Sequence, residues 1–387
     1  MNNSSLSTTF NQSSFIAAIF YSILATAGLF YVNLGGAFLS AFVDGLGVER
    51  DTAGFIVSAN KYGAAFGALL ATFLVKKIEW RKAIRILFYG LIAFDLISTQ
   101  ISNPQYLILI RFIHGTIGGL SVGIGLSIIA RTYNPDKIFG MLLAVQYTFG
   151  SLGILFVPRL VESFGTGALF ATLISFTLMT LIILPFTPDV ENNQDQIKSN
   201  FYQIPISGLL ILSLFCLFLF QAANMGVADY AFELGKDIGL AKNDISYLLT
   251  IANFISILGG VLVYVIGIRF GRTKPLCIGI FTAALFTYLL HYSDNTYIYF
   301  IANTLTGIAW GFTIPYLLGL CATFDKFGQI AALAGFVSKL GLASGPLVGA
   351  LFILSQGFSF IINLATIALL LALVFAAYVG LKQESIK

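Results

Sequence analysis

The sequence predicts an all-α membrane protein: twelve transmembrane helices arranged as two pseudo-symmetric six-helix bundles. Three observations predict it. Of 387 residues, 58% are hydrophobic and only 10% are charged, with a mean hydropathy of +0.90; a soluble domain needs about a quarter of its residues charged. The apolar runs continue for 18 to 28 residues, which suits helices and not the short alternating strands of a barrel. Landmarks in the first half recur in the same order about 190 residues later.

Spans are expected at 14–43, 52–75, 83–101, 105–130, 138–159, 165–187, 204–230, 244–268, 275–293, 296–320, 328–354 and 358–380. The stretch 188–203 is long and polar enough to be a central linker, so it separates an N-terminal bundle, 1–187, from a C-terminal bundle, 204–387. The tail Met1–Ser13 is polar and uncharged. The first span is too long for a signal-peptide core and no basic residue precedes it, so cleavage is not expected. With both termini inside, inner loops carry fourteen lysines and arginines, and outer loops only Arg50, Arg159, Lys236 and Lys242. That bias places both ends in the cytoplasm. The compact loops fit a bacterial plasma membrane. The net charge of +4 follows from this topology and needs no nucleic-acid partner. The three cysteines, Cys216, Cys277 and Cys321, lack a pairing or metal-ligand pattern.

The repeat is read from five pairs. Asn60 with Gly67 recurs as Asn253 with Gly260, and the basic loop 76–82 recurs as 269–274. Arg111 with Gly115 and Gly119 recurs as Asn303 with Gly307 and Gly311. Asp136-Lys137 recurs as Asp325-Lys326, and Gly153 with Pro158 as Gly341 with Pro346. Five pairs in order indicate a duplicated six-helix unit.

At these residues the chain resembles the major facilitator superfamily over nearly its whole length. Arg111-x-x-His114-Gly115 is similar to the family's span-four arginine motif, and Gly341-x-x-x-Gly345-Pro346-x-x-Gly349 to its glycine-proline motif. The basic loops, with Lys76, Lys77 and Arg81 and then Arg269, Gly271 and Arg272, are similar to its gating loops. The second loop has Ile268 where the family has an aspartate, and the glycine-proline motif lies in span 11 where span 5 usually carries it. The resemblance implies two halves rocking about a central site, with glycine ladders 115/119/123 and 341/345/349 as close-packed sliding surfaces. It also implies that spans 1, 4, 7 and 10 line the cavity and that spans 2, 5, 8 and 11 flank it.

The substrate-binding candidates on those spans are Tyr31, Asn33, Arg111, Gln221, Asn224, Asn303, Trp310 and Tyr316, with Lys61, Gln146, Asn253 and Lys339. Tyr147 adjoins Gln146. Membrane helices also use such residues simply to bond one another. Arg111, His114 and Gly118 share one helical face, expected to look into a water-filled cavity, because a buried charge needs water or a partner. The resemblance also implies that spans 2 and 11 lie side by side between the halves, so Lys61 and Lys339 are expected near each other, where an anion would relieve their repulsion. The expected cargo is therefore a small organic anion of carboxylate type, moved with protons by a monomer in the lipid bilayer. His114, Asp95 and Asp44 are the proton-coupling candidates. The alternatives are efflux of amphipathic drug-like compounds and a non-transporting receptor or scaffold. Gly123-Ile124-Gly125 lies inside span 4 without phosphate-binding context. No cofactor, metal or enzymatic activity is expected.

Overall fold

The computed structural model describes residues 14–75, 78–132, 135–190, 207–267, 269–324 and 329–384. The fold is all-α: apart from one isolated bridge between Arg269 and Gly271, the regular elements among these residues are helices. Span 1 is in three pieces, Phe15–Ala27, Phe30–Asn33 and Gly35–Leu46. Spans 2 to 6 are Arg50–Leu74, Trp80–Thr99, Pro104–Ala130, Pro135–Phe164 and Gly167–Ile183. Span 7, Gly208–Ala228, bends and continues as Ala231–Asp237. Spans 8 to 10 are Lys242–Ile266, Thr273–Leu289 and Thr296–Ala322. Spans 11 and 12 share the stretch Gln329–Glu384, which breaks at Gly357, where φ is 71° and a side chain would be strained.

The duplication is visible in helix bounds. Spans 2 and 8 are both 25 residues long, and spans 4 and 10 both 27. The N-caps repeat too. Ser14 and Ser207 each cap the first span of a half by accepting a backbone N–H, and Asn103 and Asn295 do so for spans 4 and 10.

Glycines set the closest helix contacts. A Cβ on Gly115 or Gly119 would fall onto the carbonyl oxygens of Asn60 or Ala64 in span 2. In the second half Gly259 meets the Ile308 carbonyl, and Gly307 meets Ser256. Gly153 abuts Leu34 of span 1, and its counterpart Gly341 abuts Gln221 and Phe218 of span 7. The ladders 115/119/123 and 341/345/349 thus lock helices together within a half, not across it, and so are not sliding surfaces between the halves. Gly115→Ala is expected to lower the melting temperature through overpacking of about 1–3 kcal/mol. Gly260→Ala, with nothing within 4 Å of its Cβ position, is expected to leave it unchanged.

Candidate functional site

The halves meet along a seam of polar side chains. Between spans 2 and 11, the Ser58 hydroxyl donates to the Ala343 carbonyl at 2.8 Å, and Tyr62 and Ser344 hydroxyls pair at 2.8 Å. Between spans 5 and 8, Asn253 Nδ2 donates to Ser151 Oγ at 2.8 Å and to the Tyr147 carbonyl at 3.3 Å. Within the C-terminal half, Trp310 Nε1 donates to Gln221 Oε1 at 2.7 Å, and Gln221 Nε2 donates to Ser338 Oγ at 2.6 Å. The Tyr147 ring stands edge-on to Trp310, centroids 6.5 Å apart. Asn33 and Asn253 both flank Gly150. Among the described residues, buried polar atoms without a hydrogen-bond partner include Asn33 Nδ2 and Tyr147 Oη in this belt, Tyr31 Oη on span 1 beside the His114 ring, and Asn224 Oδ1 on span 7, three residues on from Gln221. Buried polar groups are normally bonded, so such a set calls for a ligand or water.

Lys61 and Lys339 do come together. They line one small cavity with Leu29, Val32, Ala64 and Leu342. Lys61 is ion-paired across the seam with Asp229 of span 7, both fully buried. The pair lies against Gly35 of span 1, where a Cβ would strike the carboxylate. The predicted span 204–230 leaves Asp229 at its outer end, but span 7 continues beyond the bend at Tyr230 as Ala231–Asp237, which puts Asp229 inside.

Further out on the same face, Arg50 pairs with Glu233 at 3.1 Å and with Asp237 at 2.7 Å. Lys236 pairs with Glu233 at 2.6 Å and with Asp44 at 2.9 Å, and Lys242 with Asp44 at 3.0 Å. Four cations and four carboxylates thus balance along one edge of the seam. The halves are closed together at the end expected to face outward. Asp44 belongs to this latch, at the mouth of an outer cavity of about 380 Å³.

Arg111 does not face an aqueous chamber. It is 0% exposed and points into the N-terminal half. It donates to Asp95 Oδ1 of span 3 at 2.8 Å, to Ser98 Oγ at 2.6 Å and to the Phe94 carbonyl at 3.1 Å, and lies 5.1 Å from the Phe170 ring centroid. His114 Nε2 also meets Asp95 Oδ1, at 3.2 Å. Asn60 Nδ2 bonds the Arg111 carbonyl at 3.1 Å and His114 Nδ1 at 2.8 Å. Since that amide nitrogen must donate to the carbonyl, it donates to Nδ1 as well. His114 is then a neutral ring, with its one proton on Nε2 toward Asp95. The spacing of Arg111 and His114 on one face was right, but what lies opposite that face is a buried network in one half.

The other candidates are distributed. Asn303 Nδ2 bonds the Tyr299 carbonyl of its own helix at 2.8 Å, and Tyr316 Oη bonds the Gly267 carbonyl at 2.7 Å, closing the end of span 8. Gln146 is half-buried on span 5. In the gating loops, Arg81 caps the end of span 6 through the Leu184 carbonyl at 3.0 Å, the Thr187 carbonyl and Asp189 at 3.0 Å. Thr273, after Arg269, Gly271 and Arg272, donates to Glu384 at 2.7 Å, which brings an acid from span 12 to the loop lacking the aspartate. Lys76 and Lys77 lie outside the described residues, as do most of 188–203. Among the described residues, no His, Cys, Asp or Glu cluster is arranged to hold a metal.

A family model described as "Sugar (and other) transporter" matches residues 201–379. Two solved structures share the fold. A nucleoside transporter, NupG, has a TM-score of 0.69 at 14% identity, covering 94% of this chain and 98% of that one. A D-xylose-proton symporter has a TM-score of 0.71 at 17% identity, covering 93% and 95%. No curated protein sequence is matched. The match to that family model is confined to the second half of the chain, whereas the fold of the two solved transporters is shared along nearly its full length.

Proposed function

We propose that the protein is a secondary transporter that moves a small, hydroxyl-rich organic solute by alternating access. The observation that carries this reading is the set of unpartnered polar atoms on the spans that meet at the seam: Tyr31 Oη, Asn33 Nδ2, Tyr147 Oη and Asn224 Oδ1. Donors and acceptors are mixed, and each hydroxyl of a sugar-like solute both donates and accepts. The half-buried Trp310 offers a flat apolar face beside them. A sugar or nucleoside type of cargo is supported by the family match and by the names of the two structural relatives. A carboxylate-bearing cargo is the second reading, favoured by the lysines at the seam.

The ion pairs of the latch hold the halves together at the end taken to face outward. Opening the latched end requires Lys61 and Asp229 to part. A buried carboxylate without its partner takes up a proton far more easily than it stays charged. Proton uptake by Asp229 is therefore the step that couples transport to a proton gradient. His114 and Asp95 are paired within one half and have no such separation to report. Residence in a bacterial plasma membrane, with both termini cytoplasmic and one copy per working unit, completes the reading.

Counterflow into proteoliposomes preloaded with pentoses, hexoses or nucleosides tests it. Exchange of one such class, lost on Trp310→Ala, is expected; a protein that binds none and exchanges none would be a receptor or scaffold.

A further inference from the structure

We infer that Lys339 is a carboxylate-recognition residue, and that the solute is a polyhydroxylated acid, a uronate or aldonate. The inference rests on the transporter reading above and narrows its cargo. Along the seam, Arg50, Lys61, Lys236 and Lys242 each have a carboxylate partner, and the acids that pair with them, Asp44, Asp229, Glu233 and Asp237, match them in number. Lys339 is the odd charge. It makes no ion pair or hydrogen bond with the described residues, yet it lines the cavity that also holds Lys61.

An ammonium at membrane depth is costly unless something anionic or aqueous meets it. Asp229 is already committed to Lys61. An incoming carboxylate would restore neutrality at Lys339. The residue before it belongs to the polar belt. Lys339 follows Ser338, which bonds Gln221, which in turn bonds Trp310. One end of the solute would meet a compact point charge, and the rest would meet the unpartnered hydroxyls and amides.

The chain has two tryptophans, and Trp310 stands in the polar belt. Its fluorescence therefore reads binding in purified protein. Titrations would use D-glucuronate and D-gluconate against D-glucose, on wild type, Lys339→Gln and Lys339→Arg. The acids are expected to bind wild type at least about ten-fold more tightly than glucose, from the strength of a charge-assisted hydrogen bond. Lys339→Gln should erase that preference without weakening glucose binding, and Lys339→Arg should keep part of it. The Lys339→Gln melting temperature should hold or rise, because no partner is lost; a fall would reveal a structural role and overturn the assignment. Equal or tighter binding of glucose to wild type would overturn the inference and leave the hydroxyl-rich cargo intact. Failure of all three sugars to bind would remove that cargo reading as well.

Discussion

Lys61→Met and Asp229→Asn, made singly, are each expected to destabilise the protein by about 3–5 kcal/mol, because each leaves one buried charge without its partner. The double variant Lys61→Met/Asp229→Leu is expected to recover most of that loss, since two apolar side chains can occupy the space of a buried ion pair at little cost. Transport separates the two roles. The double variant should still exchange solute down its gradient but should no longer accumulate it when a pH gradient is imposed. Thermal melts of the four proteins and paired counterflow and accumulation assays check this. A double variant as unstable as the singles would mean that the pair does not act as a unit. Retained accumulation would remove Asp229 from the coupling step.

The all-α fold and its duplication were legible because both depend on local signals. Hydropathy marks each crossing, and repeated landmarks such as Gly153/Pro158 and Gly341/Pro346 survive as repeated contacts in the fold. The partners were not legible. Periodicity placed Arg111 and His114 on one face, but a helical period says nothing about which neighbour fills the space opposite. That neighbour is Asp95, on a span outside the set of cavity-lining helices. The outer latch was missed for a related reason. Arg50, Glu233, Lys236 and Asp237 look like solvated loop charges, useful for counting orientation, until the bend at Tyr230 carries span 7 outward and pairs Arg50 with Glu233 and Asp237, and Lys236 with Asp44, across the halves. The near approach of Lys61 and Lys339 was legible, because the resemblance set spans 2 and 11 side by side.

The Arg111 network gives the other large effect, and it should be an effect on folding alone. Arg111→Met would leave Asp95 with only the neutral His114 ring in a site that is 0% exposed. The expected loss is again about 3–5 kcal/mol, seen as a lower melting temperature and poor yield. Asp95→Leu should be as severe, because the guanidinium would keep only Ser98 Oγ and the Phe94 carbonyl. Arg111→Met/Asp95→Leu should be more stable than either single variant, whereas Arg111→Lys should not substitute, as an ammonium cannot reach three acceptors in one plane. Whatever protein folds should bind solute with unchanged affinity, since the guanidinium bonds only Asp95, Ser98 and Phe94 of span 3. If Arg111→Met instead weakened binding while melting normally, the guanidinium would have to reach the solute in another conformer. The seam would then lose its place as the sole recognition surface.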